Sequence, residues 1–239
     1  MAAARQPYPE VAPLGGDLSV IIPTLNERAN IENAVARALE AGVEEVIVVD
    51  GGSTDGTAEA AEAAGARVLR TAPGRGIQQN AGARAARGNV LLFLHADTSL
   101  PGDFPARAAQ VLADPEVSGG AFRFRVDGSG RGLRWIERMV EWRCRLWQTP
   151  YGDQALFTAA ETFRAVGGFP DSPLLEDYEL VRRLRKVGRI AVADGDAVTS
   201  ARRWRKLGVL RATWSNTLCL IAYWLNVRPE RIARWRDAF

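Results

Sequence analysis

The sequence predicts an α/β fold, a mostly parallel sheet with helices on both faces and a C-terminal helical arm, and three observations predict it. Short apolar runs bounded by turn residues recur through the first hundred positions. Segments with helical spacing of apolar residues alternate with them, the order of βαβ units. Polar and acidic tips follow directly on these runs, as binding loops do at the carboxyl ends of parallel strands.

Residues 1–17 carry three prolines and two glycines without a long apolar core, and are expected to form a loose leader. The runs LSVII (18–22), EVIVV (45–49), ARVLR (66–70) and NVLLFL (89–94) read as buried strands. After the first, Ile31, Val35, Ala38 and Leu39 recur at helical spacing and Gly42 supplies a stop. TDGTAEAAEAAG makes the next helix, with Ser53 or Thr54 as the expected cap. PTLNE (23–27), DGGSTDG (50–56) and HADT (95–98) then fall on one rim.

The second half is less regular. GGAFRFRV (119–126) alternates as a strand does. Residues 133–147 put Trp135, Met139, Trp142 and Leu146 on one helical face, and 175–188 form a helix with Leu180, Leu184 and Val187 inward. A helix over about 210–226 aligns Trp214, Leu218, Ile221 and Leu225. Its apolar stretch is short of the roughly 20 residues a membrane span needs. A core or dimer-packing role and a place in a membrane interface both fit it.

A chain of 239 residues suits one large domain, or a core domain with a small appendage. With 47% hydrophobic and 25% charged residues it is not disordered throughout. Cys144 and Cys219 form neither a metal-ligand spacing nor a disulfide framework, which fits a cytoplasmic setting. The formal charge is +3, yet residues 200–239 hold nine basic and two acidic side chains. Such a patch meets phosphates or anionic lipid; no motif points to nucleic acid.

Single residues on the rim are ambiguous. Asp50, followed by two glycines, suits ribose or base recognition, and equally suits capping its own turn. Arg75, in a Gly-flanked loop ahead of a helix, offers a phosphate contact. His95 and Asp97 lie two residues apart after a strand. If the extended geometry continues they face the same way and suit Mn²⁺ or Mg²⁺. Glu176 and Asp177 open a helix, where acids also simply complement the dipole.

Together the segments VIIPTLNE, VVDGGSTDGT, NAGARAARGNVLLFLHADT, FRAVGGF and LLEDYEL, in this order over residues 18–204, resemble the family-two glycosyltransferases of the GT-A fold. That family transfers sugar from a nucleotide donor with inversion at the anomeric carbon. The version with LLFLHADT, GDQ and TSARRW is similar to a bacterial branch of small, single-domain transferases, some described as acting on a carotenoid acid and others found beside radical-enzyme genes.

The resemblance implies a nucleotide-binding half (18–100), an acceptor-binding half (101–204) and a basic amphipathic arm (205–239). It makes Thr24, Glu27 and Asp50 the nucleotide pocket, with Arg75 and Asn80 near the donor. Asp97 matches the last aspartate of the family's Asp-x-Asp metal motif, and His95 stands where the first usually does. Asp177 falls on the catalytic base. Glu176 orients the acceptor or the base, and Tyr151, Asp153 and Gln154 line the acceptor side. In SARRW, Arg203 matches a diphosphate contact and Trp204 an acceptor platform, while Ser200 replaces the glutamine of processive members, implying single transfers.

The expected enzyme is thus an inverting, hexose-transferring glycosyltransferase using Mn²⁺ or Mg²⁺ and a small-molecule or lipid-linked acceptor. It is expected in the cytoplasm, with contact to the inner face of the cell membrane and a homodimer both compatible with the tail. Two other readings stay open. A sugar-nucleotide pyrophosphorylase shares a similar fold but uses a lysine near the start, and the only lysines here are Lys186 and Lys206. A non-catalytic binding protein is suggested by His95 and the basic aromatic tail.

Overall fold

The structure, a computed structural model, describes residues 17–237, apart from some side chains of the C-terminal helices. The expected leader therefore lies outside the described residues, save Asp17. The strands are β1 (Leu18–Thr24), β2 (Glu45–Asp50), β3 (Arg67–Arg70), β4 (Val90–Phe93), β5 (Thr98–Ser99), β6 (Val117–Asp127), β7 (Phe157–Ala159) and β8 (Arg189–Ser200). The helices are α1 (Arg28–Glu40), α2 (Thr57–Ala63), α3 (Arg75–Ala85), α4 (Phe104–Leu112), α5 (Arg131–Trp147), α6 (Ala160–Ala165), α7 (Glu176–Leu184), α8 (Arg202–Leu207), α9 (Val209–Trp224) and α10 (Pro229–Asp237).

All eight strands join one sheet in the order β3-β2-β1-β4-β7-β6-β8-β5. β3, β2, β1 and β4 are parallel neighbours, as are β6 and β8. β7 runs antiparallel to β4 and β6, and β5 to β8. The chain leaves β1 for β2 on one side and returns to β4 on the other, so strand order switches between β1 and β4. A crevice opens at the carboxyl ends of strands at such a switch.

Period-two alternation fills both faces. Val20, Ile22, Val46 and Val48 pack with Ile31 and Val35 of α1, whereas Ile21, Ile47 and Val49 pack with Ala83 of α3. The second contact is close: a methyl on Gly82 would stand 2.5 Å from Ile21 Cγ2. Only glycine lets α3 lie this near the sheet, which brings its first residue, Arg75, to the carboxyl edge.

One expectation needs correction, and two helical faces are resolved. Ser53 and Thr54 do not cap α2, whose N-cap is Gly56 in the left-handed region, because Asp55 Oδ1 takes the Thr57 N–H at 3.1 Å and sets a turn ahead of the helix. The stripe Trp135, Met139, Trp142, Leu146 faces solvent. The opposite side of α5 is anchored to β6 by the buried Glu137, which accepts the Val126 N–H at 3.0 Å and pairs with Arg125 and Arg134. The stripe of α9 is likewise exposed, because α9 packs through another face. Cys219 meets Leu174 and Ile232, Tyr223 Oη donates to Glu179 Oε2 at 3.0 Å, and Trp224 Nε1 donates to Tyr178 Oη at 2.9 Å. The arm thus rests on α7.

Candidate active site

The rim loops are stitched together by their own side chains. Asp50, buried at the end of β2, accepts the N–H groups of Gly52 at 3.1 Å and Ser53 at 3.0 Å through Oδ2. Its Oδ1 accepts the Ser53 hydroxyl and, at 3.5 Å, that of Thr24. Both groups therefore shape the turn from within. Asn26 accepts the Thr54 N–H at 3.0 Å, and its backbone N–H reaches Ser53 Oγ at 2.8 Å. Asn26 holds φ at +56°, a rare conformation outside glycine that aims the following residue, Glu27.

Glu27 and Asp97 face one cation. Arg202 Nη2 stands 3.1 Å from Glu27 Oε1 and 3.6 Å from Asp97 Oδ2. The position is set by β8, since Ser200 N–H donates to the Asp97 carbonyl at 3.2 Å and α8 starts just beyond. Desolvation and the Glu27 charge push the Asp97 carboxyl upward, against the pull of Arg202 and Arg75. An open groove of about 550 Å³, lined by Ala29, Asn30, Ser200, Arg202 and Arg205, adjoins the bridge.

The other wall of the crevice is built on Gly152. Its N–H donates to Asp177 Oδ2 at 2.7 Å, while Asp177 Oδ1 takes the Tyr178 N–H at 2.7 Å. A methyl on Gly152 would stand 3.2 Å from His95 Nε2 and 3.3 Å from Asp177 Oδ2, so imidazole and carboxylate meet across this glycine. Two non-glycine residues in left-handed conformation hold the segments, Ala155 (φ +50°) after the 3-10 turn Gly152–Gln154 and Leu175 (φ +60°) before α7. Such strain collects at binding and catalytic sites.

Arg75 is exposed and has no ion-pair partner among the described residues, yet its charge is felt by His95, Asp97 and Asp153. Desolvation, assisted by Arg75, lowers His95 to about 3, so the imidazole is neutral at physiological pH. Desolvation pushes Asp153 up to about 6, with Arg143 opposing and Asp177 adding to the rise. Its buried Oδ1 has no hydrogen-bond partner among the described residues.

Several predicted site residues turn out to be engaged within the fold. Asn80 brackets the backbone of Phe169, donating to its carbonyl at 2.9 Å and accepting its N–H at 3.0 Å. Gln154 is buried, donates to the Phe122 carbonyl at 2.9 Å and accepts from Tyr151 N–H at 3.2 Å and from Arg143 at 3.2 Å. These two support the site from behind. Tyr151 lies edge-on to Tyr178 with the Arg143 guanidinium 3.6 Å from its ring centre. Glu176 is buried beside the start of α3, where Gly76 passes close. Trp204 is half-buried against Phe124, and the Arg203 side chain lies outside the described residues.

Extended geometry does not continue beyond β4. The chain turns at His95, whose carbonyl accepts the Thr98 N–H at 3.0 Å. Thus His95 Nε2 lies beside Gly152, opposite Asp177, while Asp97 stands beside Glu27 and Arg202. Among the described residues no three His, Cys, Asp or Glu side chains converge for a metal. Asp97, partly exposed on the crevice and beside a second carboxylate, suits a cation whose remaining ligands come from a diphosphate. The sequence reading overlooked Arg202 and Arg143. The double arginine in SARRW hinted at the first, and nothing local marked the second.

An open α/β sheet with a switch in strand order, and acids with an exposed arginine near the carboxyl ends of its strands, has the form of a nucleotide-type binding domain. The sequence profile of glycosyl transferase family 2 matches residues 19–169, and the chain belongs to that family. Glucosyl-3-phosphoglycerate synthase of Mycobacterium tuberculosis is 35% identical over 104 residues, which cover 38% of this chain and 32% of the synthase. An uncharacterized glycosyltransferase of Mycobacterium bovis is 33% identical over 137 residues, 55% of this chain and 61% of the relative. The chain thus matches about a third of the first relative and less than two thirds of the second. The solved structure of the tuberculosis synthase with Mn²⁺ and UDP-glucose superimposes with a TM-score of 0.62 at 23% identity, covering 90% of this chain and 84% of that one. Its complex with Mg²⁺ and UDP gives 0.57 at 23% identity, covering 77% and 70%. These establish a GT-A fold.

Proposed function

We propose that the protein is an inverting glycosyltransferase that moves a hexose from a nucleoside-diphosphate sugar to an acceptor oxygen, with Asp177 as the general base. The observation that carries this reading is the crevice arrangement of charge. Arg75, at the start of α3 and without an ion-pair partner among the described residues, acts through its charge on His95, Asp97 and Asp153, while Asp177 stands across Gly152 from His95.

Arg75 and the N–H groups at the start of α3 receive the diphosphate, and Glu27, Asp50 and Thr24 form the nucleoside end of the rim. Asp97 would hold a divalent cation, Mn²⁺ or Mg²⁺, which would supply charge neutralisation for the leaving diphosphate. Asp177, fixed by two N–H donors, keeps lone pairs free on both oxygens. It takes the acceptor's proton as the acceptor oxygen attacks the anomeric carbon and the bond from that carbon to the diphosphate oxygen breaks. Arg75 stabilises the charge that builds on the leaving group. Neutral His95, across Gly152, accepts or donates a hydrogen bond to the sugar or acceptor without adding charge.

Tyr151, Asp153, Glu176 and Trp204 border the acceptor side. A small acceptor is the reading supported by the named relatives. A lipid-linked acceptor is favoured by the exposed aromatic surface of α5 and α9. The test is Asp177→Asn: turnover of a donor sugar is expected to fall by about 10²–10⁴-fold while nucleotide affinity stays unchanged. Undiminished turnover would remove Asp177 from the role of base.

A further inference from the structure

Six of the seven tryptophans of the chain are exposed, and all six lie on α5, α9 and α10. On α5 the solvent-facing stripe is Trp135, Met139, Trp142 and Leu146; Trp142 is 67% exposed. On α9 it is Trp214, Leu218, Ile221 and Leu225, with the same i, i+4, i+7, i+11 spacing; Trp214 is 65% and Leu225 73% exposed. The two helices touch one another. Apolar surface gathered in this way on a water-facing side marks an interaction site, since scattered exposed side chains need no such spacing.

The charge around the stripes identifies what covers them. Arg138 stands three residues from Trp135 and four from Trp142, Arg145 three from Trp142, and Arg211 three from Trp214, so each flanks a stripe on the helix surface. With Arg228 and Arg231 they are exposed and have no ion-pair partner among the described residues. The exposed acids described on these helices are Glu141 and Glu230. A second copy related by a two-fold axis would set this same cationic surface against itself. An anionic bilayer meets both features, taking tryptophan at the headgroup level and arginine at the phosphates.

We infer that α5 and α9 form a two-helix platform that seats the protein on an anionic lipid surface. No helix among the described residues is long and apolar enough to cross a membrane, so the platform lies on the bilayer. Its place in the fold gives docking a consequence. α5 leads into the Tyr151–Gln154 turn, and α9 holds α7 through Tyr223 and Trp224. Both elements that carry the Gly152–Asp177 wall are thereby tied to the lipid-facing side. This inference stands apart from the transferase reading, because vesicle binding requires no turnover.

The test is cosedimentation of the full chain with phosphatidylcholine vesicles, with and without phosphatidylglycerol, at low and high salt, alongside sedimentation velocity without lipid. Binding is expected to anionic vesicles, to be at least about tenfold weaker to neutral ones, and to be released by salt. Arg138→Gln with Arg145→Gln is expected to weaken it about twenty-five-fold, from about fivefold for each arginine at an anionic surface. Trp142→Ser with Leu218→Ser is expected to abolish it, with a nucleotide titration as the folding control. Absence of binding at low salt overturns the platform, as does unchanged binding by both variants. A lipid-independent dimer that the Trp142/Leu218 variant dissolves, without vesicle binding by the parent, assigns the surface to a second copy instead. Loss of nucleotide binding in the parent would overturn the transferase reading alone.

Discussion

At the scale of single residues, three groups have consequences that differ in sign. Arg75 is offered to an anion without a protein partner, so Arg75→Ala is expected to cost about 1.5–3 kcal/mol of nucleoside-diphosphate binding, the worth of a hydrogen bond to a charged group. Calorimetry checks it, and unchanged affinity would place the diphosphate elsewhere. His95, lowered to about 3 in the fold, binds fewer protons folded than unfolded between about pH 3 and 6.5. It therefore contributes stability above 6.5 that is lost on acidification, and His95→Gln should flatten the decline. Asp153, raised to about 6, binds more protons folded than unfolded between about pH 4 and 6. Its contribution runs the other way, falling as pH rises through that window, so Asp153→Asn should gain stability relative to the parent from pH 4 to 6. Denaturant titrations of both variants across pH measure the two slopes.

Not all of this residue-level detail could be read from the chain. Asp50 carried two readings in the sequence, and the structure shows that its oxygens shape the 50–53 turn. Asn80 and Gln154 sit in motifs, but their amide groups hold backbone across 89 and 32 residues of sequence, partners that no local pattern reveals. The turn after β4 that carries His95 and Asp97 is closed by one hydrogen bond, from the Thr98 N–H to the His95 carbonyl. Arg143 reaches Tyr151 only because α5 folds back over the Gly152 turn.

At the scale of elements, close backbone approach sets the site's dimensions. Gly152→Ala would put a methyl within 3.3 Å of both His95 and Asp177 and force them apart by tenths of an ångström. Turnover is expected to fall about tenfold, as reacting groups lose alignment, with the melting temperature held. Gly82→Ala strikes α3 where it meets β1, and a cost of about 1–3 kcal/mol in stability is expected from overpacking. Urea unfolding separates these two glycines: loss of stability at Gly152 or of turnover alone at Gly82 would reverse their roles.

The parallel strands β1 to β4 were legible because buried parallel strands are near-continuous apolar runs. β8 was not, since Asp194-Gly195-Asp196 interrupts it and pairs outward with Arg123 and Arg125. The helices α5 and α9 were legible as helices but their orientation was not. Periodicity marks an apolar face without saying whether protein covers it, and the anchors that turned these faces outward, Glu137 and Tyr223, are polar or amphipathic.

At the scale of the molecule, the two halves expected from the sequence share one continuous sheet. β6, β7 and β8 extend the strands of the nucleotide-type half, joined to it where β7 pairs with β4. The wall with Glu27, Asp97 and Arg202 and the wall with Gly152 and Asp177 are thus carried by one sheet. The C-terminal helices reach the second wall through α7. This architecture was predicted from alternating patterns in the first half, whereas the closing of the sheet by the second half depends on long-range pairing.

The central claim is that this crevice binds a nucleoside diphosphate through Asp97 and a divalent cation. Its most direct measurement is calorimetric titration of the protein with nucleoside diphosphates and their sugars, in Mn²⁺, in Mg²⁺ and with chelator, for the parent chain and Asp97→Ala. Saturable binding of one nucleotide, lost on chelation and in the variant, is the result expected. Absence of binding by every nucleotide in either metal would contradict the account, and binding indifferent to both metal and Asp97 would contradict its cation site.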